Sequence, residues 1–354
     1  MCLQRLIRIT ATAAIGLSGV IALATGPPAT IYSITDLGTL GGERSAAMGI
    51  NNRGAVVGFS QTTDGKTRAF LYGGGSLVDL GTMGGAESFA YRINDDGIIV
   101  GRAQDSTGRF RAFITRMSGG TIELTALEPR ADGDFGAAHG ISSTGQVAGY
   151  YTDAGDHMSA RNRVFLYRNF EISDIGTFGG EDGVTMAINE HGHVAGYVSS
   201  EPHADYAQHR SFLLIGEKFV PIGSLGGQLT TARDLNGNDQ VVGDGDVGGG
   251  EHHAFVFSGG VLRDQGTLAG GRQSAAYGIN ERGEIVGFSE GPDRSAHAVI
   301  ISSGIVLDLN DLIPSQSGWV LTEARDINDA GRIVGTGWLN GQQRGFLLTP
   351  KNGR

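Results

Sequence analysis

The most chemically varied side chains of this sequence fall at one register of a sevenfold repeat. Three residues before a recurring asparagine stand Met48, Tyr91, His139, Met186, Arg233, Tyr277 and Arg325; two before it, Arg92, Asp234 and Asp326 interrupt small residues. The position next to the asparagine is nearly constant by contrast: Ile50, Ile93, Ile141, Ile188, Leu235, Ile279 and Ile327. A position that only builds a frame repeats one residue type, whereas a mixture of Arg, Tyr and His offers charge, hydrogen bonds and aromatic faces. Guanidinium groups hold carboxylates through paired N–H donors, so such a rim suits an anionic ligand such as a uronate sugar. Tyr91, Arg92, His139, Arg233, Tyr277 and Arg325 are therefore candidate ligand-binding residues. The competing structural reading pairs Arg233 and Arg325 with acidic neighbours such as Asp234 and Asp326, which then merely fill a channel.

A second candidate set lies in the two longest irregular stretches. Tyr151 to Asn162 carries His157 and Arg161, and Val198 to His209 carries His203, Tyr206 and His209. Variable loops on a rigid frame are where binding residues concentrate, and solvated decoration is the alternative. The histidines at 191, 193, 203, 209, 252 and 253 invite a zinc site, which needs three protein ligands and an open position for catalysis. His191 and His193 flank a turn on the opposite face from His203, His209 and His252, so they share no ion with them. Asp244, Asp246 and Glu251 form an oxygen-rich run of the kind calcium accepts, though without a full calcium-loop pattern; no metal or cofactor is expected, a structural calcium there being the alternative. The recurring Asp36, Asp79, Asp174, Asp264 and Asp308 read as hydrogen-bonding strand ends. No nucleophile elbow, phosphate loop or nucleotide fingerprint occurs in a strand-to-helix context.

The elements that must position these residues come from the repeat itself. The block Ile50-Asn51-Asn52-Arg53-Gly54-Ala55-Val56-Val57-Gly58 returns with anchors at Asn94, Ser142, Asn189, Asn236, Asn280 and Asn328, spaced by 43, 48, 47, 47, 44 and 48 residues. Ser142 replaces the anchor Asn, and Asp239 stands where the turn glycine belongs. A second block, Arg68-Ala69-Phe70-Leu71-Tyr72, and a third, Asp36-Leu37-Gly38-Thr39-Leu40-Gly41-Gly42, also recur seven times, the third in degraded form in places. Each unit thus holds four β-rich runs bounded by Gly, Asn and Asp, joined at two points by tight turns. Four antiparallel strands per unit of about 45 residues describe a β-propeller blade, so the sequence predicts an all-β, seven-bladed β-propeller. The long connections, from second to third strand and from fourth strand to the next blade, then emerge together on one face. Tyr32 to Leu37 reads as a fourth strand and Gly345 to Thr349 as a third, so the N-terminal strand should join the C-terminal strands and close the ring.

Residues 1–24 read as a secretory leader rather than as fold: Arg5 and Arg8 precede an apolar stretch that ends in Ala22-Leu23-Ala24. The propeller is expected over residues 25–350, with a tail at 351–354. The only cysteine, Cys2, leaves with the leader, so disulfides are excluded. Removing Arg5 and Arg8 leaves 25 basic against 37 acidic residues, a formal charge of −12. That surface repels nucleic acid and anionic lipid, and no second long apolar run follows. The 60 glycines in 354 residues, against a usual share of about 7%, fall at turns.

His253-Ala254-Phe255, the Asp36 to Gly42 block and Gly278-Ile279-Asn280-Glu281-Arg282-Gly283 resemble the HAF family of extracellular repeat proteins, over nearly all of the mature chain. The resemblance implies export and repeat architecture, with no activity or catalytic residue to carry over. This chain departs from the family's His with Arg68, Arg111, Arg163, Arg210 and Arg344, which weakens any chemical role for that block.

These readings point to a secreted or periplasmic monomer that serves as a binding scaffold for a carbohydrate or protein ligand, using its long-loop face. The alternative is a polysaccharide lyase in which His139 or Tyr91 abstracts a proton while Arg233 and Arg325 neutralise the substrate carboxylate. A structural envelope protein, with no saturable small ligand, is the third class.

Overall fold

Short runs of Val, Ile and Phe separated by glycine-bearing turns can bury themselves only by stacking sheet on sheet, and that is what this chain does. A computed structural model describes residues 31–118, 121–127, 129, 135–153, 161–200 and 209–351. They form seven four-stranded antiparallel sheets, arranged as the blades of a β-propeller. The first comprises Gly41–Ile50, Val56–Thr62, Thr67–Gly73 and Ser76–Asp79, termed strands a to d. The innermost strands of the later blades are Gly84–Ile93, Phe135–Ile141, Asp182–Ile188, Thr230–Leu235, Ser274–Ile279 and Trp319–Ile327. In blade seven, strand d is supplied by Tyr32–Asp36, which pairs antiparallel with Gln342–Pro350, Tyr32 opposite Pro350 and Asp36 opposite Phe346. The expected closure is therefore present. The leader lies outside the described residues, and no helix among the described residues is long and apolar enough to cross a membrane.

The core lies between blades. Phe70, Phe113, Phe165, Phe212, Phe255 and Phe346, one in strand c of every blade but the sixth, are fully buried, as is Val299 in their place there, so the second repeat block is construction. In three blades its basic residue is tied to the recurring aspartate: Arg163 meets Asp174 at 2.7 Å, His253 meets Asp264 at 2.8 Å and His297 meets Asp308 at 2.6 Å. The aspartates bond nearby N–H groups, as Asp36 does Gly38, which fits their reading as strand-end hydrogen bonders.

The anchor asparagine does two jobs, only one of which the turn chemistry reveals. Its Oδ1 accepts the N–H four residues on, as Asn51 does from Ala55 at 2.9 Å, closing the hairpin over Gly54 at φ +86°. Its Nδ2 reaches the next blade: Asn51 donates to Asn94 O at 2.9 Å, Asn94 to Ser142 O at 3.2 Å, Asn189 to Asn236 O, Asn236 to Asn280 O and Asn280 to Asn328 O at 3.1 Å each. Asn328 returns to Asn51 O at 2.9 Å. This circuit of amides around the axis is interrupted at Ser142, whose Oγ makes local bonds alone, accepting from Gln146 N and meeting Thr144 Oγ1 at 3.0 Å each. Asp239, in place of a turn glycine, sits at φ +58°. Its carboxylate holds Asn189 Nδ2 at 2.9 Å and His193 Nδ1 at 2.7 Å.

Connections on the opposite face are dissimilar but not uniformly long. Strands b and c are joined by only Gly249-Gly250 in blade five and Asn340-Gly341 in blade seven, where two glycine-containing residues suffice for a hairpin.

Candidate functional site

Every innermost strand contains a β-bulge at the same place. Ala47 pairs with Gly58 and Gly49 with Val57, which leaves Met48 without a partner in the ladder. The same skip isolates Tyr91, His139, Met186, Arg233, Tyr277 and Arg325. A bulge adds one residue to one strand and re-aims its side chain. Here all seven bulged residues, with Arg92, line a single chamber of about 150 Å³ on the axis. The rim residues inferred from the repeat thus meet in space. The bulge that brings them there was not inferred, although its trace is visible: the alternation of strand a breaks at Ala-Ala-Met-Gly-Ile and its equivalents.

Strand b makes room for the bulge with a glycine. A Cβ on Gly58, Gly101, Gly196, Gly243, Gly287 or Gly335 would lie 1.9 to 2.1 Å from a carbonyl oxygen of strand a. The glycine that ends the first repeat block is therefore demanded by the close approach of that backbone.

Below the chamber, toward the a–b hairpins, lies a charged layer. Arg92 donates through Nη1 to Met48 O at 3.0 Å, and its guanidinium is 3.5 Å from Asp234 and 3.8 Å from Asp326. Asp234 accepts Ile279 N at 3.0 Å, and Asp326 accepts Ile50 N at 2.9 Å, so both carboxylates also stitch neighbouring blades. Burial pushes the Asp326 carboxyl up to about 6, with Arg92 opposing that rise. Arg92 is itself held protonated more firmly than usual: burial works against its charge, and Asp326 and Asp234 outweigh it.

The expected partners of Arg233 and Arg325 are corrected by this layer. Adjacent residues on a strand point to different sides, so Asp234 and Asp326 serve Arg92. Arg233 instead meets Asp244 through Nε at 2.5 Å, and Arg325 pairs with Glu323. Both guanidinium groups flank the Tyr277 ring, at 5.1 Å for Arg233 and 4.3 Å for Arg325. Across the chamber, the rings of Tyr91 and His139 are 4.8 Å apart, and Tyr150 lies 5.4 Å beyond His139. Burial drives the His139 imidazole down to about 4 and the Tyr91 phenol up to about 12. His139 is thus neutral near pH 7; its Nδ1 lies 3.2 Å from Thr185 O and donates there, leaving Nε2 open.

The three acids of the calcium candidate each have a partner within the chain. Asp244 is occupied by Arg233, Asp246 accepts Gly248 N at 2.8 Å, and Glu251 faces Arg272 at 3.5 Å. Among the described residues, no group of three or more metal-ligating side chains converges. Of the loop candidates, His157, His203 and Tyr206 lie outside the described residues. Arg161 pairs with Glu181 at 2.5 Å, and His209 stacks on Tyr197 with ring centroids 4.2 Å apart.

A further register of unlike residues, not among the candidates above, is the strand b residue that follows the bulge-accommodating glycine: Phe59, Arg102, Tyr150, Tyr197, Asp244, Phe288 and Thr336 in blade order. This register forms a second tier toward the long-loop face. Phe59, Phe89, Phe110, Phe135 and Tyr150 follow one another at centroid distances of 5.1, 5.9, 6.0 and 5.8 Å, an aromatic arc continuous with His139 and Tyr91. The recurrence of unlike residues at one register, the signal that exposed the first tier, was equally available for the second.

No family model matches the sequence, and no curated protein matches it. Solved structures do resemble the fold. A puromycin-hydrolyzing peptidase of Mycobacterium tuberculosis superposes with a TM-score of 0.54 at 14% identity, over 88% of this chain and 50% of that one. An acylaminoacyl peptidase of Pyrococcus horikoshii gives 0.52 at 9% identity, over 86% and 52%. A prolyl endopeptidase gives 0.53 at 8% identity, over 91% and 51%. This chain spans about half the length of those proteins, and likeness at such identities is a likeness of β-propeller fold alone.

Proposed function

We propose that this protein is an exported, noncatalytic binding scaffold that takes a carbohydrate ligand at the long-loop mouth of its central channel. One observation carries the reading: seven bulges deliver seven residues of unlike chemistry into one chamber, while the adjoining frame positions stay nearly constant. Export and membership of the HAF family rest on the leader and on the repeat motifs. N-terminal sequencing of the secreted protein tests the first.

The lyase alternative draws on the neutral His139 with its open Nε2. Three features favour binding over it. Tyr91 holds its proton too firmly to act as a base, Arg233 and Arg325 already have carboxylate partners, and a chamber of about 150 Å³ is too small to enclose a polymer. A glycan array probed with the mature protein and with a Tyr277→Ala, His139→Ala double variant should give saturable binding that the variant loses. Failure of the wild type to bind any glycan refutes the scaffold reading, and unsaturated products from uronate polysaccharides would replace it with the lyase.

A further inference from the structure

Arg92, Arg233 and Arg325 each face a carboxylate, so none offers an uncompensated charge to an incoming anion. Arg102 differs. It makes no hydrogen bond or ion pair among the described residues, and its Nε is buried without a partner. Its guanidinium instead lies over the rings of Phe89 and Phe110, at 4.7 Å each, and of Phe135 at 5.3 Å. In a chain carrying 37 acidic residues, a half-buried guanidinium with three ring faces and no acidic partner among the described residues is poorly explained by stability alone. Attraction to the ring quadrupoles holds its charge in place, and stacking on ring faces leaves the N–H edge of the plane available for paired contacts to a carboxylate.

We propose that Arg102 is the carboxylate-recognising residue of the channel mouth, and that the ligand is a uronate-type sugar, its carboxylate on Arg102 and its ring against the aromatic arc. This deepens, and rests on, the carbohydrate-binding reading above. A carboxylated sugar matches both halves of the cage: a planar bidentate anion for the guanidinium, and C–H faces for Phe89, Phe110 and Phe135. The cage adjoins the chamber, because Phe135 stacks at 5.8 Å on Tyr150, which in turn meets His139. A ligand seated on Arg102 can therefore reach the bulged residues.

The test is calorimetric titration of the wild type, Arg102→Gln and Arg102→Lys with digalacturonate, with the neutral disaccharide lactose, with a short peptide bearing a free C-terminal carboxylate, and with inorganic sulfate. The expected result is saturable, salt-sensitive binding of digalacturonate with no comparable response to the other three. It should weaken about tenfold or more in Arg102→Gln, the loss that goes with a charged hydrogen-bonded contact. Arg102→Lys keeps the charge but not the planar fork, and should recover only part of the affinity. Equal binding by wild type and Arg102→Gln, or preference for lactose, the peptide or sulfate, overturns the assignment. Glycan-array binding that survives Arg102→Gln sinks this inference and spares the scaffold reading; the absence of glycan binding in every arm sinks both. Unchanged thermal unfolding of the variants excludes a folding defect.

Discussion

Replacing Gly287 by alanine tests the bulge that builds the chamber. An added Cβ would lie 1.9 Å from Ala275 O, 2.9 Å from its carbonyl carbon and 3.0 Å from Ala276 Cα. All three are backbone atoms leading directly into the bulged Tyr277, so no side-chain rotation relieves the clash. The next blade also packs closely against this strand, since at Gly278 a Cβ would be 3.0 Å from Asp326 Cα. Overpacking of this kind costs about 1–3 kcal/mol. Displacing the strand also weakens ladder bonds of about 1 kcal/mol each, which gives an expected cost of about 3–5 kcal/mol. Gly304→Ala is the control: its φ is +76° but nothing lies within 4 Å, so it carries only the left-handed backbone penalty of about 1–2 kcal/mol. Both changes restrict the unfolded chain equally. Urea unfolding at constant m-value measures the difference. A Gly287→Ala protein as stable as Gly304→Ala refutes the claim that the repeat glycine exists to admit the bulge.

Three further outcomes are expected. Asn280→Ala, which loses the turn bond to Glu284 N at 3.0 Å and the inter-blade bond to Asn328 O at 3.1 Å, should cost about 2 kcal/mol and more than Asn280→Ser, which can keep the turn as Ser142 does; equal unfolding midpoints for the two count against the circuit. Ile279→Asp, at a side chain only 6% exposed between blades, should cost several kcal/mol by thermal unfolding. The stability–pH profile should reveal two opposed groups. Asp326 is raised from 3.8 to about 6, so the folded state binds the extra proton and stability falls as pH climbs through that window; His139 is lowered from 6.5 to about 4, so stability rises over nearly the same range. Asp326→Asn should leave a net rise with pH and His139→Gln a net fall; profiles parallel to the wild type in both variants contradict the burial assigned to these groups.

Much of this architecture was readable because the repeat reports on itself. Recurrence of Asn51 and its equivalents located the hairpins, and the order of blocks at the two ends located the closure. What escaped was contact between units. The Nδ2 of Asn51 reaches Asn94 O, but the turn alone accounts for an asparagine there, so nothing pointed to a second bond. Arg233 and Arg325 were matched to acids adjacent in sequence, whereas a strand turns neighbours apart and the partners came from Asp244, eleven residues away, and Glu323, two away. The rim residues were found by their variability. Arg102 carries no such mark, because its distinction, the absence of an acidic partner among the described residues, is a property of space.

A bulged residue has no residue opposite it on strand b, so strand pairing does not fix its side chain. Seven sockets around the axis can therefore be refitted one at a time, large for small or basic for aromatic, without renegotiating the sheets behind them. The closed ring thereby separates what must stay the same for the molecule to persist from what is free to drift toward a new ligand, and places the boundary between the two at a single peptide unit in each blade.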